Sequence, residues 1–309
     1  MIHISKRFFV LFYLFVGLIG FIISYYMFSP SLKLSKIMGA IDVPNNRKVH
    51  SIPTARAGGL SFFVAFSLCL LISSVDISLK IPLIFGSTII FLVGFLDDTV
   101  TLSPFIKLSG QCLSLAFYHF SSELLEYNPS VSEAILTSIW IIFITNATNI
   151  IDGLDGLAGG VCMSQALCLS VIALILGDLD IFLCLFALLG AILGFMPRNF
   201  PKAKIFMGDC GALFLGFSLG VLSSRMSFQS HSVTAVIATL IVFRVPIYDT
   251  KSSIVRRLIK GKNPFRADRG HFHHQLLRRG FTRECATLLL ITVSLLFGFI
   301  GILVMMTYN

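Results

Sequence analysis

The sequence has 309 residues, 56% of them hydrophobic and 13% charged, with a mean hydropathy of +0.89. No water-soluble domain could hide that much apolar surface, so the composition excludes one and points to a polytopic integral membrane protein. The net charge of +9 belongs with membrane topology, and no nucleic-acid partner is expected.

Lys6 and Arg7 precede an apolar run from Phe8 to Phe28 that is longer than a signal peptide's core and lacks a small-x-small cleavage site, so it reads as a retained first span. Further apolar segments lie near 57–75, 81–96, 106–120, 132–150, 157–177, 181–196, 210–224, 232–250 and 285–307. The predicted fold is therefore all-α, a single domain of about ten transmembrane helices, with both termini on one side. Alternate loops divide the cations unequally: 29–56 holds five Lys or Arg, 97–107 one, 197–209 three and 251–284 ten, nineteen of the 24 in all. That side should be cytoplasmic and the termini outside it. The seven cysteines are mostly scattered through apolar runs without a CxxC pair and read as core residues, indicating neither a disulfide framework nor a zinc site.

The residues that carry chemistry fall on the cation-rich side. The loop from Asp42 to Leu60 brings Arg47, Lys48, His50 and Arg56 before a double glycine; these could hold a diphosphate or simply anchor helix ends. Asp97 and Asp98 close the third segment, and Lys107 follows, placed to bring a positive charge or to snorkel. In NATNIIDGLDGLAGG, Asn146, Asn149, Asp152 and Asp155 recur every three residues, so neighbours lie within about one helical turn, beside glycines that let backbone N–H groups approach an anion. Asp209 opens the eighth segment, with Phe206 three residues before it. Five carboxylates at one face repel each other, and oxygen-only ligation favours magnesium, or manganese, over zinc. The plainer alternative for each acid alone is a marker of a wet helix end. The stretch 251–284 attracts phosphates, whether of substrate or of lipid headgroups. Its His271, His273 and His274 could donate to phosphate oxygens, with zinc as the competing reading. Arg244, inside a predicted span, either snorkels or meets a lipid phosphate.

Taken together, GFLDD, NATNIIDGLDGLAGG, KIFMGDCGALFLGF and DRGHFHH resemble the polyprenyl-phosphate N-acetylhexosamine-1-phosphate transferases in order and loop placement, over nearly the whole chain. Phe272 interrupts the histidine run. This resembles the enzymes that transfer N-acetylglucosamine 1-phosphate or a related sugar phosphate, rather than the muramoyl-pentapeptide branch. The resemblance implies transfer of a sugar 1-phosphate from a UDP-N-acetylhexosamine to undecaprenyl phosphate, with release of UMP, at the inner face of a bacterial cytoplasmic membrane. It implies Asp209 as the Mg2+ ligand, with Asn149 as a second. Asp152 and Asp155 would contact uridine, Phe206 would lie against uracil, and the three histidines would bind the diphosphate. Asp97 and Asp98 would sit at the lipid phosphate, Asp97 as base and Lys107 as counter-charge. Asn146, Lys48 and Arg56 complete the substrate-binding set, and a homodimer is left open.

Two rivals lie within the same chemistry: a 6-deoxy N-acetylhexosamine donor or the muramoyl-pentapeptide. A cation transporter would instead carry its acids near the bilayer midplane. A CDP-alcohol phosphotransferase would carry a DGxxAR-type signature, which is missing.

Overall fold

The computed structural model describes residues 2–43, 53–125, 127, 129–230, 232–259, 261 and 270–307, with side chains from residue 12 onward. Lys48, with Arg47 and His50, lies outside the described residues, as do Lys260 and the segment 262–269. The order is α1 (Ile2–Tyr26), α2 (Phe28–Met38), β1 (Ile41–Asp42), β2 (Thr54–Ala55), α3 (Gly59–Ile72), α4 (Ile77–Val100), α5 (Pro104–Leu124), α6 (Val131–Ile151) and α7 (Leu157–Leu176). There follow α8 (Leu179–Asn199), α9 (Gly208–Gln229), α10 (Val233–Val242), α11 (Arg244–Ile259), α12 (Phe272–Arg278) and α13 (Arg283–Thr307). The short β1 and β2 pair antiparallel, Ile41 opposite Ala55.

All ten apolar segments are helical, but the count of ten full spans is not reproduced. Among the described residues six helices (α4, α6, α7, α8, α9 and α13) are long and apolar enough to cross a membrane, and two bent pairs raise the number to eight. α3 has only 14 residues, and α5 carries Lys107, Gln111, His119 and Glu123 along its length. A bend of 42° between α1 and α2 falls at the end of the first expected span, and the ninth is broken by 71° between α10 and α11. Pro30 and Pro246 each occupy the third position of the helix after the break, where a missing N–H and a bulky ring prevent an unbroken run of hydrogen bonds. The stretch 251–284, read from sequence as a polar loop, is instead largely helical among its described residues: α11 continues to Ile259 and α12 follows.

Helix α9 is the hub: 94% of its spanning window is buried, with α4, α6, α3 and α7 around it. Such a helix packs by close approach rather than by bulk, because lipid offers no hydrophobic drive between helices. At Gly94 of α4 any Cβ would collide with the backbone of Asp209 and Cys210, so α4 and α9 meet at the position where both carry acids. Phe62, Phe195 and Phe214 fill the space between α3, α8 and α9, the Phe62 and Phe195 rings edge to face at 5.2 Å.

Candidate active site

The ends of α4 and α6, the starts of α5 and α9, and the segment before α3 come together at one end of the bundle. Asp98 is the point of assembly. Its side chain is fully shielded from solvent, and its two oxygens accept the backbone N–H groups of Asp209 (2.9 Å) and Cys210 (3.0 Å). These are two of the unpaired donors at the start of α9, whose own N-cap residue, Met207, makes no side-chain cap, so a carboxylate from α4 caps α9 from outside. Gly208 at that start has φ +72°, and a Cβ there would strike Arg56 O and the Asp98 carboxylate, so only glycine fits.

Two cations stitch the acids together. Lys107 Nζ lies 2.8 Å from Asp97 Oδ2 and 2.8 Å from Asp209 Oδ2. Arg56 lies 3.3 Å from Asp98 Oδ1, 3.6 Å from Asp209 Oδ1 and 3.9 Å from Asp42 Oδ1. Burial works against the charge of Arg56, but Asp98, Asp209 and Asp42 outweigh it and hold the guanidinium above its ordinary pKa. Asp152, just past the end of α6, is pushed up to about 7, by burial first and then by Asp209.

Beside this cluster a cleft of about 260 Å³ opens, bordered by Arg56, Asp152, Asp155, Phe206, His273 and His274. His273 is buried; burial first and then His274 push it down to about 4, so it is neutral at working pH. It reaches the cleft over Gly153, where a Cβ would collide with His273 Nε2. Asp155 is tied down, its Oδ2 accepting the Ala203 N–H at 3.0 Å.

Some candidates are placed elsewhere. Asn146 donates to Gln111 Oε1 at 2.7 Å in an amide pair between α6 and α5. His271 turns from the cleft toward Asp249, its Nδ1 2.8 Å from Asp249 Oδ2. Asn149 stands one turn before Asp152 near the end of α6. Arg244 sits at the α10/α11 break with its guanidinium 5.6 Å from the Tyr248 ring.

Sequence reasoning missed three residues. Asp249 is a buried acid inside the predicted span 232–250, and that alone was a signal. Arg283 lines the cleft but was counted only as one cation of a basic stretch. Asn199 gave no signal: it accepts the Gly156 N–H at 3.0 Å and donates to Ile205 O at 2.9 Å, locking one wall of the cleft to the other.

The donor set fits a divalent cation. Asp97, Asp98, Asp152 and Asp209 face two cations, Arg56 and Lys107, which leaves negative charge uncompensated among oxygen-only donors. Among the described residues no three His, Cys, Asp or Glu form a ready cage.

A family model described as glycosyl transferase family 4 matches residues 81–227. The chain is 36% identical to a probable undecaprenyl-phosphate N-acetylglucosaminyl 1-phosphate transferase of Bacillus subtilis, over 84% of this chain and 76% of the relative. It is 32% identical to a decaprenyl-phosphate N-acetylglucosaminephosphotransferase of Mycolicibacterium smegmatis, over 89% and 78% of the two chains. It is 30% identical to the undecaprenyl-phosphate alpha-N-acetylglucosaminyl 1-phosphate transferase of Escherichia coli, over 88% and 78%. With its helices, its motifs and these relatives in agreement, the chain belongs to glycosyl transferase family 4, among the polyprenyl-phosphate N-acetylhexosamine-1-phosphate transferases.

Proposed function

We propose that this protein transfers N-acetylglucosamine 1-phosphate from UDP-N-acetylglucosamine to undecaprenyl phosphate, releasing UMP, at the cytoplasmic face of a bacterial inner membrane. The observation that carries the reading is the meeting of Asp97, Asp209, Arg56 and Lys107 at one bundle end, beside a cleft lined by Asp152, His273, His274 and Phe206. Transfer between two anions needs fixed positive charge and donors around the bridging oxygens more than covalent help. The names of the relatives join a polyprenyl phosphate to N-acetylglucosamine. The inner-face assignment, with both termini outside, rests on the nineteen Lys and Arg that alternation of the ten apolar segments assigns to that side.

Magnesium, with manganese as a substitute, is the proposed cofactor, and when bound it would neutralise charge on the transferred phosphoryl group. Asp209 would hold it, with Asn149 as a second ligand. The rest is the work of the chain. Lys107 keeps Asp97 and Asp209 close despite their repulsion. Arg56 and Arg283 bring permanent charge to the cleft, where neutral His273 has one ring N–H for a diphosphate oxygen. Phe206 offers its ring to uracil. Asp98 has both oxygens engaged at α9, so an aspartyl-phosphate there would uncap that helix. Direct attack by the lipid phosphate, already ionised at neutral pH, is the simpler route.

Purified protein given undecaprenyl phosphate and one UDP-sugar at a time separates the donors. Lipid-linked product from UDP-N-acetylglucosamine is expected. Turnover of a 6-deoxy donor or the muramoyl-pentapeptide with none of UDP-N-acetylglucosamine would reassign the sugar.

A further inference from the structure

We propose that Asp249, which does not line the cleft, is a positioning residue: it fixes His271 and the first turn of α12 and thereby presents His273 and His274 to substrate. This rests on the reading of the cleft as the transferase site. Asp249 is 2% exposed and lies on the inward face of α11 with Val245, Pro246 and Ser253. Its two oxygens go to two adjacent groups of another element. Oδ2 is 2.8 Å from His271 Nδ1, and Oδ1 accepts the Phe272 backbone N–H at 2.8 Å. An ionised carboxylate only accepts, so His271 Nδ1 carries the proton, and the ring is held in one tautomer and one rotation.

The Phe272 N–H is an unpaired donor at the start of α12, and the N-cap residue His271 makes no side-chain cap of its own. Asp249 supplies what is missing from a neighbouring helix, much as Asp98 does for α9. Tyr248 adds a second grip, its ring parallel to that of Phe272 at 5.4 Å and 5°. From there the order passes toward the cleft: the His271 ring lies parallel to His273 at 5.9 Å and 8°, and His273 meets His274 at 4.2 Å. Since His273 must pass over Gly153 without room for a Cβ, a small rotation of α12 would drive it into that backbone or out of the cleft.

Asp249→Asn keeps the size but not the function of the side chain. Its single oxygen can serve the Phe272 N–H, and its amide then faces His271 Nδ1 with a donor, forcing the other tautomer. The test uses the full-length protein in detergent as wild type, Asp249→Asn, His271→Ala and the double variant. It has two readouts: amide hydrogen exchange over 271–279, and steady-state transfer from UDP-N-acetylglucosamine to undecaprenyl phosphate.

Each single variant should speed exchange over 271–279 about tenfold while α9 keeps its protection. Each should lower kcat/KM for the donor about tenfold or more, as misplacement of a binding group does. The double variant should lose no more than the worse single one, because both act through the same link. Wild-type exchange over 271–279 in Asp249→Asn, or losses that multiply in the double variant, would overturn the proposal. Exchange does not depend on turnover, so an inactive wild type would sink the transferase reading and still leave Asp249 decided. If Asp249→Asn does not fold, His271→Ala decides: unchanged exchange in it is equally fatal.

Discussion

Lys107 and Asp209 are separated by 102 positions in the chain and meet with Nζ 2.8 Å from Oδ2, while the same ammonium touches Asp97 Oδ2 at 2.8 Å. One cation on α5 thus joins carboxylates from α4 and α9. Lys107→Met should leave those acids repelling each other and lower kcat about a hundredfold. Lys107→Arg should not restore it, since a planar guanidinium cannot replace a compact ammonium held between two oxygens. Transfer rates at saturating donor check both; an arginine variant near wild-type rate would mean that charge alone suffices.

Asp98→Asn should act on stability as well as on rate. An amide offers one acceptor oxygen where the carboxylate offers two, so one N–H at the start of α9 is orphaned and Arg56 loses its nearest counter-charge. Leaving a buried donor unpaired costs about 1–3 kcal/mol. Asp97→Asn, whose carboxylate pairs with Lys107 and accepts the Leu102 N–H but caps no helix, should reduce turnover with a smaller change in melting temperature. Equal melting shifts in the two variants would contradict the distinction.

Gly153→Ala should displace His273 without unfolding anything, because Gly153 is exposed and its missing Cβ leaves room for the His273 ring. The expected result is a KM for the UDP-sugar raised about tenfold at unchanged melting temperature. Unaltered KM would place His273 away from the donor.

Much of this was legible beforehand. Ten apolar segments all became helices, and Asp97, Asp98 and Asp209, from separate motifs, meet at one end of the bundle. The bends were not read: Pro246 sits inside an apolar run that absorbs it, and Pro30 lies just past the end of another. Side-chain partners were less accessible. A three-residue spacing on a helix of 3.6 residues per turn drifts by about 60° at each step, so Asn146 turns about 120° away from the Asp152 direction and finds Gln111 instead. Nothing in the spacing of GFLDD tells that Asp98 caps a helix 111 positions away, and His271 pairs across 22 positions with an acid hidden in an apolar run. Such pairings depend on how helices pack, which periodicity does not encode.

Two residues should tilt the stability profile in opposite directions between about pH 4 and about pH 7. His273 is held near 4, below its unfolded value, so the stability it contributes is complete above pH 6.5 and is lost as pH falls toward 4. Asp152 is raised to about 7, so it favours the folded state at low pH and its contribution is lost as pH rises from about 4 to about 7. The two oppose each other over the shared window. Melting curves of metal-free protein should therefore show His273→Gln gaining relative to wild type as pH falls from 6.5, and Asp152→Asn gaining relative to wild type as pH rises toward 7. Parallel curves for all three proteins would remove both assignments.

The most direct measurement follows the phosphorus. With UDP-N-acetylglucosamine labelled in its β-phosphate, undecaprenyl phosphate and magnesium, wild-type protein should move the label into the lipid phase, and Asp209→Asn should leave it in water. Label that stays in the aqueous phase with wild type, or that reaches the lipid at a near-normal magnesium-dependent rate with Asp209→Asn, would contradict the assignment of this carboxylate cluster to sugar-phosphate transfer.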